Sequence, residues 1–327
     1  MAAAWQKLKW PLAALALALL FNAVFSPGFF QFTARDGRLY GSVIDILNRA
    51  APVMILSLGM TLVIATGGVD LSVGAVMAIT GAVAALLLTN AEWKVPAVIA
   101  ASLGISVIAG VWNGMLVGML KVPPIVATLI LMVSGRGIAQ LLTGGQIITF
   151  ESKSFEFIGR GAFAGLPFTI TLVLLVWAIL SFLKTRTALG LFIECTGDNE
   201  TASRYSGVNT PWVKLIVYSI CALCAGFAGL IATTDIKAAD ANNAGLWLEL
   251  DAILATVIGG TALTGGRFYL AGSLVGAILI QTLTTTILTR GVAVELTLVV
   301  KAVVVILVCL VQSEKFRQLV WKKKAAA

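Results

Sequence analysis

Few residues in this chain can do chemistry, so their placement carries most of the information. No histidine occurs in the 327 residues, which removes His-based nucleophile triads, imidazole proton relays and His-ligated metals together. Cys221 and Cys224 have the C-x-x-C spacing of redox and metal sites, but Ile220, Ala222, Leu223 and Ala225 set them in an apolar run. Thiols in such a run pack as small apolar groups. Cys195 and Cys309 stand on other segments, so no disulfide framework is implied. Arg136, Glu295 and Lys301 are ionisable groups inside apolar segments, where charge is costly and functional roles concentrate. Glu295 and Lys301 are about 9 Å apart along a helix, too far for an i,i+4 pair. Each therefore expects a snorkelling route, a partner on another helix, or a place on a polar path. Paired carboxylates and metal-ligand clusters are missing, so the reading is a non-enzyme with no cofactor and no resident metal.

The second signal is a repeat. Gly67-Gly68-Val69-Asp70-Leu71-Ser72-Val73-Gly74 returns as Gly259-Gly260-Thr261-Ala262-Leu263-Thr264-Gly265-Gly266, with Leu62/Leu254, Val83/Val275 and Ala85/Ala277 in the same register. Glycine pairs permit tight turns, and Asp70, Ser72 or Thr264 can cap the helix that follows. Each turn is either a structural hairpin at the inner surface or a gate, with Asp70 and Ser72 as the gating candidates. Repeated halves with glycine-interrupted spans are a transporter pattern.

These residues must be positioned by a membrane protein. The chain is 59% hydrophobic and 12% charged, with a mean hydropathy of +0.99, against roughly 45–50% and 25% for soluble domains. A crossing helix needs roughly 20 apolar residues. The segments that qualify, in full or nearly so, are about 10–30, 50–66, 71–89, 95–119, 123–142, 168–183, 213–234, 249–264, 268–288 and 292–312. The expectation is an all-α bundle of about ten spans in one domain covering 1–327. Strand alternation with aromatic girdles is absent, which argues against a β-barrel. The first run follows Lys7 and Lys9 like a signal peptide, but it continues to Phe30 without a good cleavage site, so it is read as an uncleaved span. Ten spans leave a tension, since inverted repeats need an odd number of crossings between equivalent points, yet both turns then fall inside. The formal charge of +8 is a topology signal rather than a nucleic-acid footprint. Lys7, Lys9, Lys184, Arg186 and Lys322-Lys323-Lys324 fall on predicted inner segments, so both termini are expected in the cytoplasm.

The expected inner loop 184–213 is the longest polar segment. Asp198 or Asn199 can cap a short helix over 200–206, and Gly207 can end it. The run Gly197-Asp-Asn-Glu-Thr-Ala-x3-Ser-Gly207, together with Ile64-Ala-Thr-Gly-Gly-Val-Asp-Leu-Ser-Val-Gly74, resembles the permease subunit of bacterial ribose-type sugar ABC importers. Trp112-Asn-Gly114, Pro123-Pro-Ile-Val-Ala-Thr-Leu129 and Asn242-Asn-Ala-Gly-Leu-Trp-Leu-Glu-Leu-Asp-Ala252 resemble it too, and within the family 235–268 is most similar to galactofuranose permeases.

The resemblance implies an importer-type permease in the bacterial inner membrane, carrying a monosaccharide by alternating access. It would work with a cytoplasmic ABC ATPase, a periplasmic sugar-binding protein and a second permease subunit, either identical or related. Asp198, Asn199, Ala202 and Gly207 would couple to the ATPase; Ser203 and Asp198 depart mildly from the residues usual there. A neutral sugar needs polar groups without a counter-charge, so Asn113, Thr128, Asn242, Asn243, Trp247 and Gln281 are path candidates, with Trp247 equally able to anchor at the interface. The alternative is an ion-coupled secondary transporter, which needs carboxylates deep in the membrane. Only Glu295 is expected there, with Asp70, Glu249 and Asp251 at segment ends.

Overall fold

A computed structural model describes residues 2–26, 28–35, 38–90, 93–291 and 294–312. Helix α1 (Ala2–Phe25) leads through a short hairpin, β1 (Thr33–Arg35) and β2 (Arg38–Tyr40), into α2 (Ser42–Ala65). Then come α3 (Val73–Thr89), α4 (Val95–Gly114) with a π-helical turn over Met115–Met119, and α5 (Pro124–Thr143). A second connection holds β3 (Ile148–Thr149), α6 (Lys153–Arg160) and the small hairpin β4–β5 (Ala162–Phe163, Leu166–Pro167) before α7 (Phe168–Arg186). The 184–213 region forms α8 (Ala188–Asp198) and α9 (Glu200–Tyr205). The chain ends with α10 (Thr210–Ile236), β6 (Ala238–Ala239, paired with β3), α11 (Leu248–Ile258), α12 (Leu270–Thr289) and α13 (Val294–Gln312).

Local chemistry explains the starts. Pro96, Pro124 and Pro211 occupy first turns, where their missing N–H costs nothing. The Asn209 side chain accepts from the Trp212 N–H to cap α10.

Packing is organised by α2 and α10. Helix α2 is buried without a break from Val53 to Ala65. Helix α10 lies across it and across α4 by using small residues: a Cβ on Gly110 would sit 2.7 Å from the Ser219 Cα, one on Gly114 2.6 Å from the Leu215 Cα, and one on Gly118 2.6 Å from the Pro211 carbonyl oxygen. A four-residue stripe of glycines lets two backbones approach where dispersion and close fit, rather than water exclusion, hold helices together.

Among the described residues, seven helices are long and apolar enough to cross a membrane: α1, α2, α4 with its π turn, α5, α7, α10 and α12. Helix α3 is a shorter apolar helix. The ten apolar segments are all helical, but they are not ten equal spans. The expected span 249–264 is helical only over Leu248–Ile258, about 16 Å against a hydrocarbon core of about 30 Å. The Gly266 N–H donates to the Ala65 carbonyl at 2.9 Å, so the two glycine turns touch and lie at one end of the bundle.

The glycine stripe makes a direct prediction. Gly110→Ala should lower the midpoint of thermal unfolding in detergent, since overpacking of this kind costs about 1–3 kcal/mol. Gly104→Ala, whose Cβ would meet nothing within 4 Å, should leave it unchanged or raise it.

Candidate functional site

The site begins with broken backbone at membrane depth. Asp240 folds the stretch after α10 into a turn: its Oδ1 accepts from the Asn242 and Asn243 amides at 3.0 and 3.1 Å, and its Oδ2 from the Asn243 side chain at 2.8 Å. Gly245 then meets Gly74 at the start of α3, where a Cβ on either residue would strike the other's backbone. Unwound backbone of this kind leaves carbonyls that hydrocarbon cannot satisfy. Arg136 of α5 satisfies two of them, donating from Nη1 to Ala241 O at 3.0 Å and Ala244 O at 2.6 Å. Arg136 thus neither snorkels nor forms the expected helix-to-helix ion pair; it clamps the break.

Beside the clamped stretch lies a cavity of about 470 Å³, lined by Asn48, Arg49, Asp235, Asp240, Asn243 and Gln281 among others. A smaller one of about 180 Å³ shares Asn48 and Asp235 and adds Arg38, Tyr40 and Arg160. Two of the expected path residues, Asn243 and Gln281, line the larger cavity. Asn242 points elsewhere: it accepts from the Gln140 side chain at 2.8 Å and donates to Gly145 O, tying the loop to the end of α5. Trp247 is 54% exposed at the left-handed N-terminus of α11. Asn48, Arg49, Asp235 and Asp240 were not expected. The one sequence signal for them is the Asp-x-Asn-Asn spacing, which favours a side-chain-stabilised turn.

Carboxylates are deeper than expected. Glu249, in the first turn of α11, is 6% exposed, and its Oε2 has no hydrogen-bond partner. Asp251 pairs with Lys301 of α13 at 3.0 Å, which gives Lys301 its inter-helix partner. Both acids sit at a helix end, as the sequence suggested, but that end lies inside the bundle. The side chains of Glu295 and Cys309 and the basic tail at 322–324 lie outside the described residues.

The remaining path candidates form a lock around the first glycine turn, and the α3 start that follows it touches the 240–247 stretch through Gly74 and Gly245. Asp70 Oδ1 accepts from the Ser72 amide at 2.9 Å and its hydroxyl at 2.6 Å, and Asn113 Nδ2 donates to the Ser72 Oγ at 2.9 Å. Thr128 Oγ1 donates to the Pro124 carbonyl at 2.9 Å and stands 3.4 Å from the Val69 carbonyl, which the Tyr218 hydroxyl approaches to 3.5 Å. All five of these side chains are buried, and Asp70 Oδ2 and Asn113 Oδ1 have no protein partner. The expected capping role belongs to neither Asp70 nor Ser72, because no side chain caps α3. In the second turn Thr261, rather than Thr264, accepts from the Tyr269 amide before α12.

The α8–α9 corner lies against this lock. Of the two expected caps, Asn199 is the one used, accepting from the Ala202 amide at 2.9 Å, while Asp198 stays exposed. Gly207, at a φ of 88°, ends the turn after α9. Ala202 and Tyr205 are exposed, Ser203 is buried, and Glu200 anchors the corner to α10 through Lys214 at 2.6 Å and Thr210 at 3.1 Å. Partial burial alone would raise the Glu200 carboxyl; the Lys214 hydrogen bond and charge outweigh it and hold it below its ordinary value.

That direction sets a pH dependence. A carboxylate depressed in the folded state stabilises above its unfolded value, about 4.3, and that stability is lost as pH falls through the lower folded value. Amide exchange in α9 should therefore accelerate in acid relative to a Glu200→Gln variant, whose own protection should be lower at pH 7 and show no such step. The difference is expected below about 1 kcal/mol because the pair is partly exposed.

Residues 42–309 match the family described as branched-chain amino acid transport system / permease component. The chain is 52% identical over 320 residues to the galactofuranose transporter permease protein of Escherichia coli K12, covering 96% of this chain and 94% of that protein. It is 37% identical to the fructose import permease protein of Bifidobacterium longum, over 95% of this chain and 89% of that one. With the ribose import permease protein of E. coli K12 it shares 35%, over 95% of each. The matched range takes in the broken α11 segment, both glycine turns and the α8–α9 corner. With its seven crossing-length helices, the chain is a multi-pass membrane protein and belongs to this permease family.

Proposed function

We propose that the chain is the membrane-spanning subunit of an ATP-driven importer for a monosaccharide, galactofuranose or a related pentose or hexose. The observation that carries this reading is the 52% identity, over 96% of the chain, to a protein named as a galactofuranose transporter permease. In this reading a binding protein on the periplasmic face delivers the sugar to the cavity beside 240–247. An ATPase on the cytoplasmic face engages the corner carrying Asp198, Asn199, Ala202 and Gly207. A second permease subunit, identical or related, completes the path, and both termini lie in the cytoplasm of a cell with this chain in its inner membrane.

The chemistry of the cavity suits that substrate. Carboxylates at Asp235 and Asp240 accept from sugar hydroxyls, while the Asn243 and Gln281 amides both donate and accept. The locked turn at one end of the cavity closes the route while the other end is open. ATP binding at the corner shifts the helices to a second packing in which the lock opens and the cavity closes. The protein makes and breaks no covalent bond; the work comes from the partner's ATP.

Reconstitution with the cognate ATPase and binding protein tests the reading. Labelled galactofuranose should accumulate only with ATP, and labelled leucine should not, even though the family's description names amino acids. Uptake by this chain alone that collapses with an uncoupler would contradict ATP coupling and support an ion-coupled carrier. Asn243→Ala and Gln281→Ala should each slow uptake about two- to ten-fold, the equivalent of one hydrogen bond worth roughly 0.5–1.5 kcal/mol, with ATP hydrolysis by the complex unchanged.

A further inference from the structure

We propose that Gly197 is the transmission point of the transport cycle, where the α8–α9 corner bears on both glycine turns at once. The proposal rests on the reading of that corner as the ATPase contact. Its basis is a three-way meeting of backbones. The Gly266 N–H donates to the Ala65 carbonyl, joining the end of α2 to the second turn. Gly197 lies directly against that bond: a Cβ there would overlap the Ala65 oxygen and stand 2.5 Å from the Gly266 nitrogen. From the opposite side, a Cβ on Gly265 would stand 2.8 Å from the Gly197 oxygen and 3.0 Å from the Gly67 nitrogen. No side chain separates the three segments.

That geometry decides how motion passes. Side chains in a contact can change rotamer and absorb a displacement, whereas backbones already in contact cannot. A shift of α8 therefore moves Ala65–Gly67 and Gly265–Gly266 together. Helix α2, which ends at the first turn, passes it to α10, where a Cβ on Gly59 would stand 2.9 Å from the Cys221 Cα. The second turn passes it to the α11–α12 pair, whose backbones meet at Gly259 against Gly272 and Ala255 against Gly276. Helix α12 carries Gln281 into the cavity. Gly197 is thus a positioning residue that links the ATPase-facing corner to the sugar cavity without touching either ligand.

Two measurements on the full complex in proteoliposomes test this. In Gly197→Ala the complex should assemble and hydrolyse ATP at its basal rate. Uptake should fall at least ten-fold, and stimulation of hydrolysis by the loaded binding protein should vanish. Gly104→Ala should change neither, and wild-type uptake with normal stimulation in Gly197→Ala would overturn the proposal. The second measurement needs no steric wedge. Spin labels are placed on the native Cys195 and on Thr264→Cys, with Cys221, Cys224 and Cys309 replaced by alanine and a third label site at Trp93→Cys. On trapping with ATP and vanadate the 195–264 distance should stay constant while both distances to 93 change. A change in the 195–264 distance overturns the proposal whatever the alanine variant does, including where that variant fails to assemble. If no distance changes and the wild-type chain does not hold the ATPase, the coupling reading itself fails, and the proposal with it.

Discussion

Backbone polar groups cannot be left unpaired in hydrocarbon, and this constraint organises the whole molecule. The chain leaves helix at 66–72 and at 240–247, and each break needs hydrogen-bond partners that a helix no longer supplies. At 240–247 Arg136 donates to two carbonyls, and Asp240 Oδ1 accepts from the Asn242 and Asn243 amides. At 66–72 the Gly67 and Gly68 amides turn back onto the Ile64 and Val63 carbonyls, and Asp70 Oδ1 accepts from the Ser72 amide. Without those partners the broken backbone would leave polar groups unpaired in an apolar surrounding. The buried charge of Arg136, costly by itself, is offset by two carbonyls that would otherwise be orphaned.

The same constraint sets the lock at one end of the cavity, on a shared set of helices. Helix α12 starts beside the second glycine turn and carries Gln281 to the cavity. Helix α3 starts at the first turn, and its Gly74 meets Gly245 where the clamped stretch passes. Small residues at these meetings leave helix axes close and side chains few, so the lock and the cavity communicate through rigid elements rather than through soft packing. Alternating access needs that property: two discrete packings, with one end open only when the other is shut.

Much of this was legible in the sequence. The glycine repeat marked both turns because only glycine tolerates such close approach and turn geometry, and Asn199 and Gly207 marked the ends of α9 because capping is a local interaction. Composition and run length located the helical segments. What could not be read depends on contacts distant in the chain. The apolar run 249–264 has the hydropathy of a span, so run length counts it as one although the glycine pair after Ile258 marks a turn within it. Arg136 could not be assigned to carbonyls over a hundred positions away. Thr264 is placed to cap α12 by sequence alone, but no side chain caps that helix, and it is Thr261 that accepts from the Tyr269 amide before it. The cavity's Asn48 lies in the second turn of α2 and Asp235 in the last turn of α10, and only tertiary structure brings them together. The meeting of Ala65, Gly197 and Gly266 draws on three separate segments, so no spacing in the chain announces it.

The central claim is that the cavity beside 240–247 is a water-filled path open to one side at a time. Its most direct measurement is the alkylation rate of cysteines placed at 243 and 281, in the assembled complex, by a membrane-impermeant thiol reagent added from either side. The account predicts rapid labelling from the binding-protein side in the nucleotide-free complex, and protection from that side once ATP is trapped. Labelling at the same rate in both states, or no labelling from either side, would contradict it.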